Sequence, residues 1–283
     1  MSQKHIEHEI KELATLSALS LVLSELSSLR IKETRENVLY TRSFITAINS
    51  VFGEVLSSYY KKARALAHKK NGEKLTFIAH NGKTVAVFIS STTGLYGPIV
   101  QKTFEHFMSE AMKDGVEVTL IGSYGVRLFS GQSTKPYTFF ELSDNKEKMD
   151  FARIVAHLVQ YETIHVYYPQ FRNVVSQESV MKEIAAEPKI ETSDTQIKYL
   201  FEPTLESVLQ FFESEIFTSM FESVLEEAQL ARHASRMLAM DMASQNIKKK
   251  LSHAHLERLR SVHRESDRKQ LQSVAAVMAV TRR

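Results

Sequence analysis

The chain has 283 residues, 43% of them hydrophobic and 24% charged, with a formal net charge of +3. That length allows one to two domains, the mixture excludes a disordered polyelectrolyte, and so small a charge does not by itself imply a nucleic-acid partner. Cysteine is absent, so disulfides and thiolate metal sites are excluded, which fits a reducing compartment.

Met1 to Glu12 alternate charged and apolar residues without a continuous apolar core, so no signal peptide is expected. Nor does any unbroken apolar run reach the length expected of a membrane span. Every glycine and proline except Gly53 falls between Gly72 and Pro203. Both residues punctuate turns and interrupt helices, so the two ends are free to be long helices and the middle must turn repeatedly. The predicted organisation is a helix over 1–68, an α/β domain over 72–200 and a helix over 203–283.

In the first segment, Ile6, Ile10, Leu13, Leu16, Leu19, Leu23 and Leu26 follow one another at three- and four-residue steps. After a polar interval, Thr41, Ile45, Ile48, Phe52, Val55 and Tyr59 resume the alternation. Such spacing puts one apolar stripe on one helix face.

The middle segment alternates strand-like and helix-like stretches. Leu75 to Ala79 and Val85 to Ser90 are rich in β-branched and apolar residues, and Pro98 to Met112 has helical spacing. Val116 to Ile121 reads as a strand, Pro136 to Leu142 as an edge strand, and Lys146 to Tyr161 as an amphipathic helix. Thr163 to Tyr168 and the more exposed Val174 to Ile184 complete the set. This alternation argues a parallel or mixed, Rossmann-like sheet covered by helices.

The turn Gly94-Leu95-Tyr96-Gly97 joins a strand to a helix. A helix N-terminus in this position can cradle phosphate, but the spaced glycines of a dinucleotide fingerprint and the Gly-Lys-Ser/Thr of a phosphate loop are missing. Gly94 and Gly97 are therefore read as a structural turn. Pro203 is expected to open the last helix. There Phe217, Phe221, Val224, Ala228, Ala231, Ser235, Leu238 and Met242 keep a four-three-four-three spacing. Helices of about 60 and 75 residues would run about 90 and 110 Å, longer than an ordinary domain core, so each stripe needs a partner. The expected partner is the other stripe, in an antiparallel coiled coil.

Histidines are scattered: His5 and His8 lack a nearby ligand cluster, and His253 and His255 point to different helix faces. No metal site, catalytic constellation, cofactor site or small-molecule substrate site is expected. Along the last helix, acids dominate before Ile247 and bases after it, from Lys248, Lys249 and Lys250 to Arg282 and Arg283. The helix dipole acts only over terminal turns, so a block this long points to a partner surface, either protein or nucleic acid.

The run His233-Ala234-Ser235-Arg236-Met237-Leu238-Ala239-Met240, followed by Ala243 and Asn246, resembles the signature of the gamma subunit of F-type ATP synthases. Gly94 to Gly97 is similar to that family's Gly-Leu-Cys-Gly, and Phe201-Glu202-Pro203 with Leu209 to its Phe-Glu-Pro before the final helix. Ile121-Gly122 with Gly125, and the strand Val166 to Phe171, fall in the same order between them.

The resemblance implies a central rotor shaft. Its coil turns inside a ring of alternating alpha and beta subunits that hold the nucleotide sites. Its α/β domain and adjoining coil bind the epsilon subunit and the membrane c-ring. Such a chain is a non-catalytic part of a proton- or ion-translocating complex, peripheral to the cytoplasmic face of a bacterial inner membrane or its organellar equivalent, with no nucleic-acid partner.

The subunit contacts it implies are His233, Arg236, Met237, Met240, Asn246, Lys248, Lys249, Lys250, Val262, His263 and Asp267. Several positions depart from the family pattern. Ala231-Arg232 stand for Ser-Glu, Val262-His263 for Arg-Gln, Asp267 for Thr, Ala275 and Ala276 for Gly-Ala, and Leu21 to Lys32 for Ile-Thr-x-Ala-Met. The remaining alternatives are a specialised paralogue, a non-rotary coiled-coil scaffold, a small α/β enzyme with helical arms and a nucleic-acid binder acting through the basic segment.

Overall fold

The computed structural model describes residues 3–59, 62–63, 66, 68–70, 74–143, 149–184 and 200–281. The chain forms two compact units, one of Ser28–Ser235 and one of Met1–Ser27 with Arg236–Arg283. Two long helices contribute to both: α1 over Gln3–Ser58 and α5 over Leu205–Thr281.

The unit Ser28–Ser235 is organised by a sheet with strand order β5-β4-β3-β6-β7. Its strands are β3 (Thr84–Ile89), β4 (Val116–Ile121), β5 (Thr138–Phe140), β6 (Thr163–Phe171) and β7 (Gln177–Glu183). Pairing is parallel except at β7, which lies antiparallel to β6. Between the strands run α2 (Ile99–Ala111), α3 (Ser123–Ser130) and α4 (Phe151–Leu158). The inner strand β3 is apolar on both sides because both faces are covered, as parallel sheets require.

Alternation along β3 sends Ala86 and Phe88 to one face, against Phe104 and Phe107 of α2 and Phe129 of α3. Val85, Val87 and Ile89 go to the other, against Ile154 and Leu158 of α4 and Phe217, Phe221, Val224 and Ala228 of α5. The long helix is thus a structural layer of the α/β unit. Each fully buried Phe or Leu in such a layer contributes about 1.5–3 kcal/mol. In this unit α1 and α5 run antiparallel: the Phe52 and Phe212 rings stack at 5.4 Å, and Thr41 meets Glu226 further along both helices.

Several expectations change in detail. Leu75 to Ala79 does not join the main sheet; β2 (Lys74–Thr76) pairs with β1 (His68–Lys70) in a separate two-stranded ribbon. Phe77 is buried by α1 and α5 instead, with Phe52, Leu56, Leu209 and Ile216. The edge strand expected over 136–142 is confined to Thr138–Phe140. Helix α4 begins where the Asp150 carboxylate accepts from the Arg153 N–H at 3.3 Å, and 146–148 of the expected helix lie outside the described residues. Helix α3 was not anticipated. Pro203 does not sit in the first turn of α5; it follows a cis peptide bond, and Thr204 caps the helix by accepting from the Ser207 N–H at 3.2 Å.

The largest correction concerns the first stripe. Burial along α1 keeps one unbroken four-three phase: Ile6, Ile10, Leu13, Ser17, Ser20, Ser24, Ser27, Ile31, Thr34, Val38, Thr41, Ile45, Ile48, Phe52 and Val55. Leu16, Leu19 and Leu26, expected on the stripe, are out of phase and exposed. A continuous helix cannot shift its inward face merely because leucines stand elsewhere, so serines occupy the seam. On α5, Phe217 to Ser235 are buried as expected, but Met242 is exposed and the inward positions beyond it are Ser244, Ile247, Leu251 and Ala254.

Candidate interaction site

Three buried carboxylates on α5 tie the unit Ser28–Ser235 together. Glu213 accepts from the Thr76 hydroxyl and from the Phe77 N–H, both at 2.6 Å. Glu226 accepts from the Thr41 hydroxyl at 2.9 Å. Glu227 accepts from the Arg42 guanidinium and from the Tyr168 hydroxyl, each at 3.0 Å. Burial, with the neighbouring Glu227 carboxylate, pushes the Tyr168 phenol well above its ordinary range, so it stays a donor. One helix is thereby bonded to α1 through Thr41 and Arg42, to the ribbon through Thr76 and to β6 through Tyr168. A buried carboxylate is costly unless fully bonded, and these have directional partners on three different elements. They resist sliding or turning of α5 against its neighbours within the unit.

A second polar cluster lies where β4 meets α4. Glu117 accepts from Lys83 at 2.7 Å and from the Tyr161 hydroxyl at 2.5 Å. The hydrogen bond from Lys83 and then that from Tyr161 hold its carboxyl below the usual range. Burial holds His157 below its ordinary value, with its Nε2 3.1 Å from the Thr119 hydroxyl. These groups bond to one another, and the cluster fastens strand to helix.

Two motifs far apart in sequence meet at the turn of 94–97. The buried His233 ring lies 6.2 Å from that of Tyr96, edge to face. Gly97 has φ +66°, which glycine adopts at little cost, whereas a Cβ at Gly94 would meet open space. Nearby, Gly122 has φ +104°, and a Cβ there would lie 2.9 Å from the Ser91 carbonyl. The Ser123 hydroxyl donates to the Thr92 carbonyl at 3.0 Å, and that of Thr92 to the Leu142 carbonyl at 2.9 Å. The turn is consumed in joining strand ends.

In the unit Met1–Ser27 with Arg236–Arg283, Met240 is buried while Arg236 and Met237 are half-buried. Asn246, Lys248, Lys249, Lys250, Val262, His263 and Asp267 are all exposed. The expected contact residues therefore divide: His233 faces inward onto the turn, and those from Asn246 onward are presented to solvent. Sequence reasoning passed over the three carboxylates, whose glutamates looked like part of an acidic block. Glu213 and Glu227 had a signal in position, since Glu213 stands four residues before Phe217 and Glu227 three after Val224, in helical register with the buried stripe. Among the described residues no group of three His, Asp or Glu side chains is arranged to hold a metal.

The profile of the ATP synthase family matches residues 2–261. This chain belongs to that family. Among its relatives, the ATP synthase gamma chain of Roseiflexus sp. (strain RS-1) is 24% identical over 266 residues, covering 87% of both chains. The ATP synthase gamma chain of Geotalea daltonii is 22% identical over 263 residues, also covering 87% of both. A chain of the Euglena gracilis mitochondrial ATP synthase (OSCP/F1/c-ring, rotational state 3) superposes with a TM-score of 0.65 at 14% identity, covering 99% of this chain and 95% of that one. A chain of the Tetrahymena thermophila mitochondrial ATP synthase central stalk and c-ring gives 0.58 at 20% identity, covering 80% and 99%. At these identities the solved structures speak for the fold. The match over residues 2–261 is that of a component of the membrane-associated ATP synthase.

Proposed function

We infer that this chain is the gamma subunit of a proton- or ion-translocating ATP synthase, the central rotor shaft that couples the membrane ring to ATP synthesis or hydrolysis on alpha and beta subunits. The observation that carries this reading is the match over 2–261 to a family whose bacterial relatives of the same length are gamma chains. The chain performs no chemistry itself. Its partners are the alpha and beta subunits, the epsilon subunit and the c-ring, and it works at the cytoplasmic face of a bacterial inner membrane.

The geometry suits the task. A shaft must carry torque without slipping, and the bonds of Glu213, Glu226 and Glu227 lock α5 to α1 and to the sheet. A shaft must also present different contact energies to different conformations of the surrounding subunits, since only differential contact shifts their populations. We assign that contact to the exposed residues Asn246, Lys248, Lys249, Lys250, Val262, His263 and Asp267, with Arg236, Met237 and Met240 supporting the helix pair beneath them. His233, in the unit Ser28–Ser235, packs on Tyr96.

A second reading, a specialised paralogue or a non-rotary coiled-coil scaffold, draws on Val262-His263 and Asp267, which replace the polar residues of the family pattern. Purification from the native organism separates the readings at their root. The chain is expected to elute with alpha and beta subunits, and consistent elution without them contradicts the shaft.

A further inference from the structure

Strand β4 is only half covered on its outer side. β3 pairs with it along the whole of Val116–Ile121, whereas β5 pairs only with its last three residues, from Thr119 to Ile121. Among the described residues, 116–118 therefore have a strand on one side and none on the other. Residues 135–138, which lead into β5, form the far wall of a groove of about 580 Å3 whose lining also includes Lys83, Gly115 and 116–118. Backbone N–H and C=O groups along a strand demand partners, and an open strand edge is a template for a further strand.

The groove also holds a fixed positive charge. The Lys135 ammonium donates to the Ala111 carbonyl at 2.7 Å and to the Lys113 carbonyl at 2.9 Å, at the end of α2. Those two bonds hold the head in place, and both acceptors are neutral. An ammonium has three donors, so one is left for a ligand. The other charges in the lining are matched, since the Glu117 carboxylate accepts from Lys83 and from the Tyr161 hydroxyl. Lys83 and Lys135 against Glu117 leave the groove one surplus positive charge. On the same wall Tyr137 is 40% exposed, its ring held edge to face at 5.6 Å from that of Phe129.

We propose that this groove binds an extended acidic segment of a partner protein, which adds a strand beside residues 116–118 and sets a carboxylate on the Lys135 ammonium. In strand addition the main-chain bonds give affinity and the side-chain contacts give specificity. A strand edge presents donors and acceptors together, and a peptide answers both, whereas a phosphodiester backbone offers acceptors alone. The carboxylate follows from the surplus charge, and a charge-assisted hydrogen bond is about twice as strong as a neutral one. An apolar side chain of the same segment rests on Tyr137. The site goes beyond the shaft reading and does not depend on it.

The experiment titrates the full chain with a capped hexapeptide of alternating glutamate and valine. Anisotropy of a label on the peptide reads the affinity, and amide NMR shifts of the chain read the place. Saturable binding is expected below about 1 mM, with the shifts concentrated at 115–118 and 135–138. K135Q is expected to weaken binding about tenfold or more, and K135R to keep it. High salt should weaken it several-fold, because the ion pair is open to solvent. A hexapeptide of alternating glutamate and proline keeps the charge but cannot join a ladder, and it is expected to bind about tenfold more weakly or worse. The urea midpoint of K135Q checks its fold; should that variant fail to fold, the wild-type shifts and the proline peptide decide.

No saturable binding up to about 1 mM, shifts centred elsewhere, or a folded K135Q that binds like wild type overturns the proposal. Equal binding of the proline peptide shows an anion site without strand addition. Equal binding of a lysine–valine hexapeptide shows an edge without charge selection. A dimer of the chain that the acidic peptide dissolves reassigns the edge to a second copy. Each of these three outcomes also overturns the proposal, and none touches the shaft reading, which association with alpha and beta subunits tests separately.

Discussion

In the unit Ser28–Ser235, α5 buries Phe217, Phe221, Val224 and Ala228 against a sheet and bonds its glutamates to three different elements. In the unit Met1–Ser27 with Arg236–Arg283, the same helix turns inward Ser244, Ile247 and Ala254, and α1 turns inward serines. The first unit holds its helix by a core of large apolar side chains; the second keeps much of its apolar surface outside. Stability therefore belongs mainly to the first, and surface available to partners mainly to the second. A helix that is continuous in hydrogen bonding is thus two different objects in packing energy.

Removing a core ring tests the first half of that contrast most strongly. Phe221→Ala, at a fully buried position, is expected to destabilise the unit Ser28–Ser235 by about 3–5 kcal/mol. The urea midpoint of the isolated chain measures it, and a loss below about 1 kcal/mol would mean that the α5–sheet layer is not a true core.

Next come the carboxylate ties. Glu227→Gln keeps the shape but puts an NH2 opposite one of the donors, Arg42 or Tyr168, and only a neutral carbonyl opposite the other, a cost of about 1–2 kcal/mol. Arg42→Ala should cost less, about 0–1 kcal/mol, because the Arg42 side chain is 57% exposed and its charge is screened. An equal or larger cost for Arg42→Ala would show that the exposed Arg42 bond holds Glu227 more firmly than the buried bond from Tyr168.

Acidification acts on the first unit as well. His157 stays neutral in the fold because burial lowers it from 6.5. Below pH 6.5 the unfolded chain binds a proton that the folded chain refuses, so stability falls as pH drops, by at most about 1.4 kcal/mol per pH unit for one group. Glu117, lowered from 4.5, adds a further loss below that pH, when the unfolded chain takes up its proton first. His157→Gln should flatten the slope between pH 6.5 and 5, and an unchanged slope in that variant would contradict the role given to burial.

The smallest effect should come from the serine seam. Ser17→Ala with Ser24→Ala removes hydroxyls that are only half-buried and inserts the better helix former. A gain of a few tenths of a kcal/mol in helix stability is expected by circular dichroism on heating. A loss above about 1 kcal/mol would show that the seam depends on its hydroxyls.

Legibility in the sequence followed the same division. Strand β3 was readable because a doubly covered strand is apolar nearly throughout, and β4 and β6 because their β-branched and aromatic residues outnumber the polar ones between them. The meeting of Tyr96 with His233 was foreshadowed only by both lying in resembling motifs. Helix α3 was hidden because Gly122 and Gly125 look like loop residues. In the fold Gly125 is a helix residue packed so closely that a Cβ would lie 2.8 Å from that of Ser90. Along the first stripe leucine content and helical phase disagree at Leu16 and Leu19, and phase decides which side is buried. The glutamate ties required three dimensions: nothing local says that Glu213 will find Thr76 or that Glu227 will find Tyr168.

The central claim is that this chain transmits rotation between subunits that do the chemistry. ATP hydrolysis by purified alpha and beta subunits of its organism, measured with and without the full chain, tests it most directly. Sustained multisite turnover only when the chain is present is the predicted result; the same turnover with and without it would contradict the account.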